Sequence, residues 1–234
     1  MTIEIKAFAD RAALTATTAD IIAAALTPPS ALAAPRARSF VATGGSTPGP
    51  VYDALAKRDL DWAGVTVTLT DERWVDPASP LSNEGLIRAR LLIGPAAAAG
   101  FLPLKGAGAT PHVDALAAEP ALAALAPFDV VLLGMGPDGH IASLFPDDPS
   151  LAVALDPVGE RLCVGIDHAG LEPFVPRISL TARALLNARL IVLLVTGEDK
   201  RALIARVIDD PEVDLPVAAI GRQSKTPVRI LWAR

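Results

Sequence analysis

The sequence predicts an α/β fold built on a mainly parallel sheet. Two observations predict it. Short apolar segments alternate with alanine-rich helical segments from end to end, the pattern of successive strand–helix units. Two of those segments, 129–133 after its leading Asp129 and 190–195, are continuous apolar runs of the kind buried on both faces in parallel sheets.

The elements follow in order. Residues 39–43 read as a strand stopped by the pair Gly44-Gly45, and 48–58 as a helix with a proline early in its first turn. The Val- and Thr-rich segment 65–70 reads as a strand. Residues 84–92 read as a helix with Asn83 near its N-cap, and 113–125 as an alanine-rich helix interrupted by Pro120. Strand 129–133 follows. Residues 146–157 carry three prolines and read as a loop. Residues 162–166 are strand-like. Strand 190–195, helix 199–208 and a last strand 228–232 complete the chain. Short connections and the lack of any linker composition favour one domain over 1–234.

Composition narrows the function classes. The 234 residues are 51% hydrophobic and 20% charged, which excludes a disordered chain. The longest strongly apolar run is far short of the ~20 residues of a membrane helix, and the N-terminus lacks a sustained apolar signal region. A formal net charge of −5 and the absence of a basic run give no pull toward nucleic acid. The single cysteine, Cys163, excludes an internal disulfide framework. A soluble cytoplasmic protein with neither nucleic-acid nor membrane partners is expected.

Ligands in open α/β sheets bind beyond the carboxyl ends of the strands, and four strand ends carry unusual chemistry. The first is Thr43-Gly44-Gly45-Ser46-Thr47-Pro48. Gly44 and Gly45 allow close backbone approach, Ser46 and Thr47 add hydroxyl donors, and the following helix directs free N–H groups at the same spot, which suits a phosphate. No lysine stands in Walker A register. The plain alternative is an ordinary capped turn. The second is Asp71-Glu72-Arg73. Ionisable residues at a buried strand end need partners. Arg73 offers a planar fork for phosphate or carboxylate, and Asp71 can orient it or a catalytic base. A solvated turn with its charges paired among themselves is the alternative.

The third strand end, Gly134-Met135-Gly136-Pro137-Asp138-Gly139-His140, matches G-x-G-x-x-G. A dinucleotide site needs a long helix and a placed acid downstream. Pro146 and Pro149 curtail the helix, and Pro137 removes a backbone donor. The glycines instead project His140, a candidate general base, with Asp138 or Asp71 as the acid that fixes its ring. The fourth is Thr196-Gly197-Glu198-Asp199-Lys200. Lys200 stands against the helix dipole, and a ligand anion or simple solvation accounts for it. His112 and His168 share no metal-ligand spacing with His140 or Cys163, and Cys163 reads as a small core residue.

Together, Thr43 to Pro48, Asp71-Glu72-Arg73-Trp74-Val75 with Ser82-Asn83, Gly134 to Pro146, Arg177-Ile178-Ser179-Leu180-Thr181 and Gly197-Glu198-Asp199-Lys200 resemble the 6-phosphogluconolactonase family. The resemblance implies a Rossmann-like, three-layer single domain without metal or cofactor. It implies hydrolysis of a sugar-phosphate lactone, 6-phospho-D-glucono-1,5-lactone, to 6-phosphogluconate in the pentose phosphate pathway. It assigns His140 as the base that activates water. Arg73, Lys200 and the loop Gly44, Gly45, Ser46 and Thr47 hold the phosphate. The resemblance leaves the oligomeric state open.

Glucosamine-6-phosphate deaminase shares the fold and the Asp-Gly-His turn. Its pattern places a glutamate five positions after the histidine, where this chain has Phe145. A phenyl ring cannot carry a proton. The deaminase pattern also has tyrosine where Arg73 stands. Ile141 and Ser179 replace threonines common in the lactonase pattern, and Ile141 removes a hydroxyl next to the base. Two other classes compete: a nicotinamide-dependent oxidoreductase and a non-catalytic sugar-phosphate sensor.

Overall fold

In the computed structural model, which describes residues 3–27 and 37–234, ten strands form two sheets. The strands are β1 (Ile3–Ala7), β2 (Arg38–Ala42), β3 (Val65–Leu69), β4 (Asp71–Arg73), β5 (Gly100–Phe101), β6 (Val130–Leu133), β7 (Cys163–Ile166), β8 (Arg177–Leu180), β9 (Ile191–Thr196) and β10 (Val228–Ala233). The helices are α1 (Arg11–Leu26), α2 (Gly49–Leu55), α3 (Asn83–Arg90), α4 (Pro111–Leu125), α5 (Leu151–Leu155), α6 (Ala182–Leu186), α7 (Glu198–Asp209) and α8 (Ala218–Gly221). The main sheet has the order β1-β10-β9-β6-β2-β3-β5, and all its pairings are parallel.

The expected α/β architecture therefore forms. Each of the five strands expected in the main sheet lies within a residue of its expected bounds. Every residue of β6 is buried, so both faces of the central strand are covered, as its unbroken apolar sequence requires. From β6 and β2 the chain order runs outward in opposite directions. That divergence opens a crevice at the carboxyl ends of the strands.

Three features differ from the sequence expectation. The N-terminal strand and helix, β1 and α1, precede the first element expected. Helix α1 buries Leu14, Thr18, Ala19, Ile22 and Leu26 at helical spacing, with Asp10 accepting from the Ala13 N–H as its N-cap. Pro120 does not interrupt α4, which runs through it. Pro120 lies on the exposed side, while Asp114, Ala115, Ala118 and Leu122 are buried where α4 meets β7 and β8. Packing of that face holds the helix across the proline. Residues 146–157 are not all loop. Between Pro149 and Pro157 the chain forms α5, which buries Ala154 and packs on α6.

A second sheet was not legible either. It has the order β4-β8-β7 and is antiparallel. Thr70 joins the two sheets. Its N–H donates to the Ala42 carbonyl in the main sheet, while its carbonyl accepts from the Leu180 N–H in the small one. Asp71-Glu72-Arg73, read as a charged strand end with a solvated turn as the alternative, is thereby a strand of its own. The buried Glu72 carboxylate is tolerated because it accepts from the N–H groups of Arg73, Asn83 and Glu84 and from the Ser82 hydroxyl. Burial still raises its pKa, with those hydrogen bonds opposing the rise.

Candidate active site

The crevice is a cleft of about 240 Å³, a little below the usual range of about 300–1,000 Å³ for small-molecule sites. Its lining brings together Gly44, Gly45, Ser46, Thr47, Asp71, Arg73, His140 and Lys200. Three of the four strand ends singled out in the sequence reach it as backbone turns or helix starts. The Asp71 end reaches it through the small sheet.

The glycine loop after β2 is held from below. The Tyr52 ring of α2 is fully buried. Its hydroxyl donates to the Thr43 carbonyl at 2.5 Å and accepts from the Thr43 N–H at 3.0 Å. Burial pushes the phenol's pKa well above its usual value. At Gly44 a Cβ would fall 1.9 Å from Asn83 Oδ1, so only glycine lets the loop pass the Asn83 amide. That amide is itself fixed by donating to the Asp71 carbonyl at 2.8 Å. Tyr52→Phe is expected to cost about 1–3 kcal/mol by leaving both Thr43 backbone groups unmatched. At ~2–4 °C per kcal/mol for a chain of this size, thermal unfolding should show a clear drop in Tm. An unchanged Tm would mean that the loop finds other partners.

His140 is set by the turn after β6. The Gly136 N–H donates to the His140 carbonyl, and the Gly139 N–H to that of Gly136. A Cβ on Gly136 would stand 2.1 Å from two ring atoms of His140 and 2.5 Å from Asp138 Oδ1. Glycine there lets the imidazole and its acid close on the backbone. Of the two candidate acids, Asp138 touches the ring: its Oδ1 lies 2.6 Å from His140 Nδ1. Asp71 lines the cleft but is engaged elsewhere. Its carboxylate accepts from the Thr70 hydroxyl at 2.8 Å and from the Ser143 hydroxyl at 2.7 Å. The Phe145 ring packs against His140 with centroids 4.8 Å apart.

Three cations line the cleft. Lys200, in the first turn of α7, donates to the Met135 carbonyl at 2.6 Å. Burial lowers its pKa, and the Asp138 charge opposes that shift. Arg73 donates from Nη1 to the Leu81 carbonyl at 2.6 Å, while its Nε has no acceptor in the protein. The third cation, Arg177, was given no role by the sequence reading. It opens β8 opposite Arg73 in the ladder and is 4% exposed. The signal that could have found it is a lone arginine at the head of an apolar strand, which is costly to bury without a partner.

The two departures from the lactonase pattern resolve structurally. Ile141 is fully buried in the core, so no hydroxyl is missing from the cleft wall. Ser179 keeps the hydroxyl of the residue it replaces and accepts from the Ser143 N–H at 3.2 Å. That bond ties the turn after His140 to the small sheet. Within this turn Ala142, a cleft residue, adopts a positive φ of 50°, a conformation that non-glycine residues reserve for constrained sites. His112 stands apart, exposed and 3.1 Å from Asp167. Cys163 is free and buried, and burial raises its thiol pKa. Among the described residues, no group of three or more His, Cys, Asp or Glu side chains could hold a metal ion. Nor is any helix among them long and apolar enough to cross a membrane.

In sequence and in fold the chain is similar to known proteins. Residues 9–232 match the family model described as glucosamine-6-phosphate isomerases/6-phosphogluconolactonase. The chain is 48% identical to the 6-phosphogluconolactonase of Caulobacter vibrioides, covering 99% of this chain and 97% of that one. It is 38% identical to that of Rhizobium meliloti over the whole of both chains. Among solved structures, a 6-phosphogluconolactonase from Shewanella baltica superposes with a TM-score of 0.91 at 37% identity, covering 100% and 98% of the two chains. A monomeric glucosamine-6-phosphate deaminase superposes with a TM-score of 0.78 at 18% identity over 99% and 98%, a likeness of fold alone. Matched along nearly its full length in sequence and in structure, the chain belongs to the glucosamine-6-phosphate isomerase/6-phosphogluconolactonase family.

Proposed function

We propose that the protein hydrolyses 6-phospho-D-glucono-1,5-lactone to 6-phosphogluconate, the lactone-opening step of the oxidative pentose phosphate pathway. The observation that carries this reading is the pairing of His140 Nδ1 with Asp138 Oδ1 at 2.6 Å in a cleft lined by three cations. With its Nδ1 proton directed at Asp138, His140 keeps the Nε2 lone pair for a water. The substrate phosphate docks on the loop of Gly44, Gly45, Ser46 and Thr47 between Arg73 and Lys200. This fixes the lactone carbonyl near His140.

The water oxygen then bonds to C1 as its proton passes to Nε2. The tetrahedral intermediate collapses with cleavage of the bond between C1 and the ring oxygen. The imidazolium returns the proton to that oxygen. Phe145 favours hydrolysis over deamination, since the position where the deaminase pattern carries a proton-transferring carboxylate here holds an apolar ring packed on the base.

The direct test adds purified protein to freshly made lactone and follows acid release above the spontaneous rate. Rapid hydrolysis supports the reading. A rate equal to background removes it and turns attention to glucosamine 6-phosphate with an ammonia readout. The phosphate clamp has its own test. A charge-assisted hydrogen bond is worth about 1.5–3 kcal/mol. Arg73→Ala is therefore expected to raise KM about 10–100-fold with kcat within a few-fold of wild type. An unchanged KM would remove Arg73 from the clamp.

A further inference from the structure

Arg177 is a buried cation that the hydrolytic scheme above does not use. Its Nη2 donates to the Pro173 carbonyl at 2.9 Å, and its Nη1 lies a long 3.5 Å from Ser143 Oγ. Its Nε has no acceptor in the protein. A guanidinium carries five N–H donors, and burying it without full partners is costly. The cost is compounded by register. Arg73 and Arg177 face each other across the β4–β8 ladder, and like charges directly opposite destabilise a sheet. Such an arrangement persists where an anion is to be bound.

The location says which anion. Arg177 and His140 both contact the Phe145 ring and both line the cleft. The guanidinium is 5.7 Å from the ring centroid, and the imidazole packs on the same ring at 4.8 Å. Ser143 links Arg177 to Asp71, since its hydroxyl donates to the Asp71 carboxylate. The other nearby acid, Glu72, is already matched by four donors. A phosphate dianion next to Arg177 would meet the Asp71 charge almost at once. An oxygen that acquires a single charge only in the transition state suffers less from that neighbour. Phe145 matters here too. A carboxylate in its place would neutralise Arg177, whereas the phenyl ring supports the cation without satisfying its donors.

We propose that Arg177 is a catalytic residue that holds the negative charge developing on the C1 oxygen. As water bonds to C1, the carbonyl pair moves onto that oxygen and the Arg177 N–H groups bind it. The pair returns as the bond to the ring oxygen breaks and His140 protonates the departing oxygen. This role rests on the lactonase reading. The carboxylate of the product presents the same chemistry at C1 and is held by the same guanidinium.

The test compares wild type, Arg177→Met and Arg177→Lys. Hydrolysis of fresh lactone is measured together with competitive inhibition by 6-phosphogluconate and by sorbitol 6-phosphate, which keeps the phosphate but has an alcohol at C1. Removing one donor from an oxyanion site costs about 10²–10³-fold in kcat. Arg177→Met is expected to lose kcat on that scale with KM within a few-fold. It should bind 6-phosphogluconate more weakly and sorbitol 6-phosphate as wild type does. Arg177→Lys is expected to recover part of kcat, and it carries the test if the Met variant does not fold. Parallel weakening of both inhibitors with kcat retained would make Arg177 a phosphate ligand and overturn the proposal. Wild-type kinetics in a folded variant would also overturn it, leaving a structural residue. A wild type that fails to hydrolyse the lactone removes the lactonase reading itself, and the assigned role with it.

Discussion

His140→Ala is expected to lower kcat for lactone hydrolysis by about 10²–10⁴-fold, the usual contribution of a positioned general base. The variant should bind substrate with nearly unchanged affinity, because the groups proposed for the phosphate are Arg73, Lys200 and the loop from Gly44 to Thr47. Their supports do not pass through the imidazole: Arg73 is held by the Leu81 carbonyl, Lys200 by the Met135 carbonyl and Thr43 by Tyr52. The fold should survive as well. The imidazole is 21% exposed and makes its one side-chain hydrogen bond to Asp138, itself 30% exposed. Stability should therefore change little, and thermal unfolding would separate a lost base from a lost fold. The lactone opens spontaneously, so the background rate must be subtracted. A variant that keeps kcat within about threefold of wild type would remove His140 as the base, because such a loss is under 1 kcal/mol.

Much of this site was legible because strand ends in a parallel sheet converge whatever lies between them. Glycine pairs, a Gly-flanked histidine and Lys200 in a first helical turn mark three such ends in the sequence. The structure collects all of them in one cleft. What escaped the sequence has physical causes. β4 escaped because three consecutive ionisable residues do not read as a strand, and the burial of Glu72 among them depends on donors from α3 and its cap ten or more positions away. Arg177 escaped with it, since its place opposite Arg73 exists only once β4 pairs with β8. The choice between Asp71 and Asp138 turned on side-chain direction. Two residues before the histidine, Asp138 folds back on the ring within the glycine turn, whereas Ser143 and Thr70 claim Asp71. Helix α1 was missed for a different reason. Its buried face includes Thr18 and Ala19, which carry little apolar signal.

Asp138→Ala is expected to reduce kcat by about 10²–10³-fold, less than the roughly 10⁴-fold loss on disabling the orienting acid of a Ser-His-Asp triad. The difference follows from what else holds the ring. One oxygen of Asp138 serves two donors, His140 Nδ1 at 2.6 Å and the His140 backbone N–H at 3.2 Å. Its removal frees the tautomer and leaves the imidazolium without its counter-charge. Yet the ring remains wedged between the Gly136 backbone, where there is no room even for a methyl group, and the Phe145 ring. Rotation is restrained without the acid, so part of the positioning survives. Asp138→Asn should be milder, with a loss of about 5–15-fold, the value of about 1–1.5 kcal/mol for converting one charge-assisted hydrogen bond into a neutral one. The backbone N–H of His140 needs an acceptor on the same atom, which turns the amide oxygen toward the ring and preserves the Nδ1 proton. In both variants KM should stay near the wild-type value. Equal kcat losses in the Asn and Ala variants would mean that charge alone matters and tautomer does not. Loss of less than twofold in both would return the choice to Asp71, whose carboxylate would then have to reach the ring by leaving Ser143.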